Sequence, residues 1–130
     1  MARDLGLLLL RLGVGGLMLT HGWPKVQKVL HGNFQFADPI GLGEAPSLVL
    51  AATAEFLFAL LVMLGVRVRW TAIPPAITMA VAVFVAHAGD PIGKREKALL
   101  FLVGFLAIAL LGSGRYALDS LLPRRGGSKI

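Results

Sequence analysis

The sequence contains no cysteine and few charged residues, and both scarcities narrow what the protein can be. Without cysteine the chain forms no disulfide, holds no thiolate-bound metal and performs no thiol redox chemistry. A redox role would therefore need a bound cofactor or a partner protein. Charged residues make up only 15% of the chain, against 56% hydrophobic residues and a mean hydropathy of +0.76. A soluble domain of 130 residues needs more polar surface than this, so the composition predicts a membrane protein.

Four apolar blocks separated by polar segments predict an all-α fold, an integral membrane four-helix bundle. The predicted helices cover about residues 5–25, 45–65, 70–89 and 96–112. A helix of about 20 residues spans the hydrocarbon layer, and the first three blocks reach that length. One transmembrane domain is expected over residues 1–122, followed by a disordered basic tail over 123–130. Arg11 interrupts the first block and no cleavage motif follows it, so this block is interpreted as a retained helix and not as a signal peptide.

The distribution of lysine and arginine predicts the orientation in the membrane. Four spans place both termini on one side, and basic residues near the helix ends number seven on that side and five on the other. The prediction is a multi-pass protein of a prokaryotic plasma membrane, the cell inner membrane, with both termini in the cytoplasm. The net charge of +6 does not predict a nucleic-acid partner, because the basic residues lie between apolar blocks and in the tail. The lipid bilayer is the expected partner.

Two charged residues, Arg11 and Glu55, lie deep within apolar blocks. A charge at the bilayer centre costs about 2.5–3.5 kcal/mol, so such residues usually find partners. Measured from the ends of the predicted helices, Arg11 and Glu55 lie at similar depths of about 18 Å and about 15 Å. A buried Arg11–Glu55 ion pair is therefore predicted, with Gly15 and Gly16 giving the second helix room to approach. The pattern fits a purely structural pair and a functional pair equally well.

A second group of ionisable residues maps to the end of the bundle opposite the termini. It comprises His21, Lys25, His87, Lys94, Glu96 and Lys97. With Glu55 at its floor, this group predicts a polar pocket that opens to the non-cytoplasmic side. The candidate site residues are Arg11, His21, Lys25, Glu55, His87 and Glu96, and none is assigned a catalytic role.

Simpler interpretations of the same residues remain open. Each histidine alone is more simply explained by a hydrogen bond to backbone or water. A metal or haem site on His21 and His87 is only weakly indicated, because the pair lacks the spacing typical of helix-bundle ligands, and no metal site is predicted. Lys94, Arg95 and Lys97 are most simply interpreted as a solvated, lipid-facing cluster.

Three stretches of the chain resemble the DoxX family of membrane proteins. They are LLLLRLGVGGLMLTHGWPKV, AEFLFALLVMLGVRVR and EKALLFLVGFLAIALLGSGRYALDSLL, which together cover about residues 5–122. The positions that match the family motifs are Arg11, His21, Lys25, Glu55, Arg69, Glu96, Arg115 and Asp119. Lys97 departs from the family pattern, which often has an aromatic residue there. The residues from Gly112 to Asp119 are expected to end the last helix and to form a local salt bridge.

The resemblance implies a four-helix membrane protein linked to respiratory and sulfur redox systems. Related subunits belong to a thiosulfate:quinone oxidoreductase, others associate with oxidative-stress enzymes, and many members have no established activity. The favoured hypothesis is a redox-associated subunit that binds quinone, its only expected cofactor, through His21, Lys25 and Glu55. A redox protein and a second copy of the chain are the possible protein partners. Whether the chain is itself an enzyme, as a quinone-using oxidoreductase subunit, stays open.

Two other functions compete with this hypothesis. The first alternative is a non-enzymatic membrane anchor or assembly partner for a soluble redox enzyme. A small-solute transporter ranks last, because the sequence has no inverted repeat and no sign of discontinuous helices.

Overall fold

A computed structural model describes residues 2–36, 38–86 and 88–121 of the chain. It contains the helices α1 (Ala2–Leu30), α2 (Glu44–Leu64), α3 (Val68–Ala86) and α4 (Ile92–Leu111), followed by a 3-10 turn at Leu118–Leu121. All regular structure in the described residues is helical, and α1, α2 and α3 are long and apolar enough to span a membrane. The predicted fold class, an all-α membrane four-helix bundle, is therefore confirmed. His87 and the tail at 123–130 lie outside the described residues.

Helix α1 is longer than the apolar block suggested. It continues through Pro24 to Leu30, whereas the sequence predicted an end near residue 25. Its 29 residues correspond to a length of about 43 Å, so its last turns extend past a hydrocarbon layer of about 30 Å. Helix α4 also begins earlier than predicted, at Ile92. These extensions change which residues of neighbouring helices lie at the same depth.

Two prolines interrupt the first part of α3. The helix breaks at Ala72, between an opening turn and the segment Ile73–Val81. Pro74 and Pro75 have no N–H to donate to carbonyl groups one turn earlier, which explains a break at this position. The Thr71 hydroxyl donates to the carbonyl of Val66 at 2.9 Å, which ties the opening turn to the residues just before α3.

Two segments of the bundle are π-helical instead of α-helical. They are Thr53–Phe58 within α2 and Ala82–Ala86 within α3. A π-helical turn holds an extra residue, so the side chains before and after it point in shifted directions. Glu55 lies in the first of these segments and is buried.

Helix α1 packs closely on α2 through glycines. A Cβ atom on Gly22 would lie 2.5 Å from the carbonyl oxygen of Glu55, and one on Gly15 would lie 3.0 Å from that of Ala59. These contacts set the antiparallel register of the two helices, with Gly22 beside Glu55 and Gly15 beside Met63. Gly15 therefore gives the neighbouring helix room, as predicted.

Candidate functional site

The predicted ion pair between Arg11 and Glu55 is wrong. Glu55 pairs instead with Lys25, at 2.7 Å between Oε1 and Nζ. The depth estimate took Trp23 as the end of the first helix, whereas α1 continues to Leu30 and carries Lys25 past the backbone of Glu55. The Glu55 side chain is 4% exposed and that of Lys25 is 22% exposed, so the pair lies at the edge of the buried core.

Arg11 binds backbone carbonyl groups near the other end of the bundle. Its Nη1 donates to the carbonyl oxygens of Met63 at 3.2 Å and Val62 at 3.4 Å, and its Nη2 donates to that of Tyr116. The last carbonyls of a helix lack intrahelical donors and carry partial negative charge, which favours a cation there. Arg11 is only 1% exposed. It therefore joins the end of α2 to the segment that follows α4, away from Glu55.

The segment that follows α4 is held by carboxylates that accept hydrogen bonds from backbone N–H groups. Gly112, at φ 84°, ends α4 as predicted. The Asp119 carboxylate accepts from the N–H of Arg67 at 2.5 Å, and that of Asp4 accepts from the N–H of Arg115 at 3.1 Å. The local salt bridge predicted between Arg115 and Asp119 is therefore wrong, because both carboxylates bind segments distant in sequence.

A cavity of about 600 Å³ lies between the four helices, at the end of the bundle away from the termini. Its polar wall is formed by His21, the Lys25–Glu55 pair and Lys97. The hydroxyl-bearing residues Ser47 and Thr78 also line it, while apolar side chains cover most of its surface. The cavity therefore combines hydrogen-bond donors on its polar wall with a mostly apolar lining elsewhere.

Both π-helical segments lie against this cavity. Ala54 and Glu55 line it from α2, and Ala82 and Ala86 line it from α3. The small alanine side chains leave space beside the carboxylate of Glu55. π-Helical turns occur often at functional sites, so their meeting at one cavity marks it as the candidate site.

His21 is positioned by an aromatic contact with α4. Its ring lies edge-on to that of Phe101, with 5.4 Å between centroids and an angle of 80°. The carbonyl of His21 also accepts a hydrogen bond from Lys25 Nζ at 3.3 Å. His21 thus links α4 to the Lys25–Glu55 pair.

The structure brings together three of the six candidate site residues. His21, Lys25 and Glu55 line the cavity, whereas Arg11 lies near the opposite end of α1. Glu96 is exposed and does not line the cavity. His87 lies outside the described residues, so its candidate role stays a prediction.

Lys97 lines the cavity, although it was counted in the predicted polar pocket and not among the six candidate site residues. Lys94, Arg95 and Lys97 were interpreted as a lipid-facing cluster, but Arg95 Nη1 donates to the carbonyl of Val83 at 3.4 Å and Lys97 lines the cavity. Lys97 and Phe101 are four residues apart and so lie on one helix face, and this spacing could have indicated that Lys97 faces the cavity with Phe101. The π-helical segments carry no comparable signal in the sequence.

The connection between α1 and α2 also contributes to the site. Phe36, Ile40 and Leu42 line the cavity from this segment. The Asp38 carboxylate holds its end, accepting from the N–H of Gly43 at 3.0 Å and the hydroxyl of Ser47 at 3.4 Å. These apolar side chains were not predicted because the segment reads as a polar, glycine-rich loop.

Comparison with known proteins identifies the family to which the chain belongs. The chain matches the DoxX family over residues 6–88. It is 33% identical over 117 residues to "Putative oxidoreductase CatD" of Bacillus subtilis strain 168, covering 89% of this chain and 86% of the relative. It is 29% identical over 126 residues to "Inner membrane protein YqjF" of Escherichia coli K12, covering 94% and 95% of the two chains. No solved structure matches. The chain therefore belongs to the DoxX family and is a multi-pass membrane protein, as its motifs indicated.

Proposed function

We propose that this protein binds a quinone in the cavity between its helices, as a subunit of a membrane redox system. The observation that carries the proposal is a cavity of about 600 Å³ with mostly apolar walls and with His21, Lys25 and Lys97 on its polar side. Small-molecule sites typically measure about 300–1,000 Å³ and combine apolar walls with a few placed polar groups. A quinone ring is apolar and carries two carbonyl oxygens, so it requires the donors that this wall supplies.

The Lys25–Glu55 pair gives the site a fixed donor and a group that exchanges protons. Lys25 Nζ has three N–H groups, and two of them donate hydrogen bonds, to Glu55 and to the carbonyl of His21. One N–H is left for a quinone oxygen. Reduction of a quinone also consumes protons, and an ion pair beside the ring is a suitable source of them.

A partner redox protein is expected to supply the electrons. The chain has no cysteine thiols to carry them. One relative carries the name "Putative oxidoreductase CatD", which supports a redox role for this chain. The proposal is therefore a quinone-binding role, with the catalytic steps shared with a partner.

The direct test is quinone binding by the purified protein. Quinone extracted from the detergent-solubilised protein should be enriched over that from an unrelated membrane protein purified from the same cells. Ala82→Phe places a ring in the cavity and should abolish the enrichment. Ala80→Phe is the matched control, because Ala80 lies on the same helix with similar exposure but does not line the cavity.

Absence of quinone from the wild-type protein, together with stable capture of a soluble redox enzyme, would overturn the proposal. That result would favour a non-enzymatic anchor. Equal quinone content in the Ala82→Phe and Ala80→Phe proteins would place any bound quinone outside the cavity.

A further inference from the structure

A groove runs along the outside of the bundle between α1 and α4, with a volume of about 690 Å³. We name it the α1–α4 groove, and its main apolar walls are Gly6, Leu9, Gly13 and Leu17 of α1 and Leu100 and Phe101 of α4. Gly6 and Gly13 keep it open, because no atom lies within 4 Å of a Cβ built on either. From Gly6 to His21 the groove follows about 22 Å of α1, which is most of the hydrocarbon layer.

The α1–α4 groove and the cavity share one wall. His21, Lys97 and Phe101 line both of them. Within this wall the His21 and Phe101 rings are in contact, with centroids 5.4 Å apart. A molecule in the groove therefore ends beside the polar side of the cavity, with no helix in between.

The polarity of the groove changes along its length. At the cavity end lies Lys97, which has no ion-pair or hydrogen-bond partner within the described part of the chain. His21 and Thr20 lie at the same end, and the rest of the groove is lined by leucine, valine, glycine and Phe101. An ammonium group complements the partial negative charge of carbonyl oxygens, and the apolar stretch complements a hydrocarbon chain.

We infer that the α1–α4 groove holds the apolar tail of the ligand whose head group occupies the cavity. The ligand enters sideways from the bilayer, and its head passes between α1 and α4 at the shared wall. This inference rests on the proposed quinone function and adds that the ligand is long-tailed. The two glycines of α1 would also suit a neighbouring helix, but the wall shared with the cavity favours the tail.

The test compares a quinone that has a long isoprenoid tail with the same head group lacking the tail. Both are titrated against the full-length protein in lipid nanodiscs. Gly13→Phe fills the groove without touching the cavity, and it should weaken binding of the tailed quinone by about tenfold or more. Binding of the tail-less head group should not change. Gly93→Phe is the control, because Gly93 is also open and lies outside both the groove and the cavity.

The outcomes separate this inference from the proposed function. A wild-type protein that binds neither quinone would refute both. Wild-type affinity of the Gly13→Phe protein for both quinones would overturn the groove inference and leave the cavity site standing. The same holds if Gly13→Phe weakens both quinones equally, or if it only dissociates an oligomer and thereby identifies the groove as an interface between copies.

A second measurement on the wild-type protein does not depend on the folding of a variant. A quinone with a photoreactive group on its tail should crosslink to residues 6–17 of α1 and to α4 near Leu100. Labelling spread evenly over the exposed faces of α2 and α3 would overturn the inference.

Discussion

Gly13 and Gly22 are both helical glycines of α1, yet they face different surroundings. A Cβ on Gly22 would lie 2.5 Å from the carbonyl oxygen of Glu55, whereas a Cβ on Gly13 would meet no atom within 4 Å. Gly22→Ala should therefore destabilise the protein by about 1–3 kcal/mol, since α2 must move away. Gly13→Ala should be neutral or stabilise it by up to about 1 kcal/mol through helix propensity. Thermal unfolding in detergent checks both, and equal melting temperatures would contradict the close α1–α2 contact.

The ion pair of Lys25 and Glu55 should show energetic coupling. Lys25→Met leaves the nearly buried Glu55 carboxylate without its partner and should cost about 1–3 kcal/mol. Adding Glu55→Gln removes the stranded charge and should restore part of that loss. Lys28→Met is a control, because Lys28 donates to the carbonyl group of Gln35 and, within the described residues, pairs with no carboxylate. Denaturant unfolding of the single and double variants measures the coupling, and simply additive losses would contradict the pair.

The burial of charged residues could be predicted from the sequence, but their pairing could not. Arg11 and Glu55 are 1% and 3% exposed, as expected for charges inside apolar blocks. Their partners depend on where α1 ends, and the sequence HGWPK looks like a helix end because it contains Gly22 and Pro24. The helix nevertheless continues through Pro24 and brings Lys25 to Glu55 of α2, a contact that hydropathy does not report.

At the scale of helices, Arg11 is expected to hold the segment after α4 in place. Arg11→Lys replaces a forked guanidinium with one ammonium, which cannot reach both the end of α2 and Tyr116. The N–H groups of Asp119 and Ser120, bonded to the carbonyls of Gly65 and Ala117, should then exchange faster with deuterium.

Hydrogen–deuterium exchange with mass spectrometry measures this effect peptide by peptide. Arg3→Lys is the control, because Arg3 is an exposed arginine on the same helix. Unchanged exchange over residues 112–121 in the Arg11→Lys protein would show that Arg11 does not hold this segment.

Hydropathy located all four helices, but it missed two features that shape the site. The π-helical segments Thr53–Phe58 and Ala82–Ala86 contain only residues that are ordinary in α-helices, so the sequence does not reveal their positions. Hydropathy also gave no indication that apolar side chains of the 31–43 connection line the cavity. The polar residues of the cavity could therefore be predicted from the sequence, but the apolar residues that line the rest of it could not.

For the whole molecule, the orientation in the membrane is directly testable. The bonds from Arg115 to Asp4 and from Arg67 to Asp119 gather the start of α1, the α2–α3 turn and the segment after α4 at one end. This end of the bundle carries more basic residues than the other, which predicts that it faces the cytoplasm. Since the chain has no native cysteine, an introduced thiol reports its own position only.

A membrane-impermeant maleimide applied to intact cells should label His31→Cys and not Ser113→Cys. His31 follows α1 at the end of the bundle opposite the termini, and Ser113 follows α4. After the cells are broken open, both variants should react. The reverse pattern in intact cells would place the termini outside.

The contacts of Arg11 have a consequence for how the chain is made. Its three acceptors lie 51, 52 and 105 residues further along the chain, so Arg11 is synthesised before any of them exists. Until then an intramembrane cation costs about 2.5–3.5 kcal/mol. The last acceptor arrives only after α4 has been made. A nascent chain that stalls within α4 therefore has two of the three acceptors of Arg11 and lacks the third, the carbonyl of Tyr116.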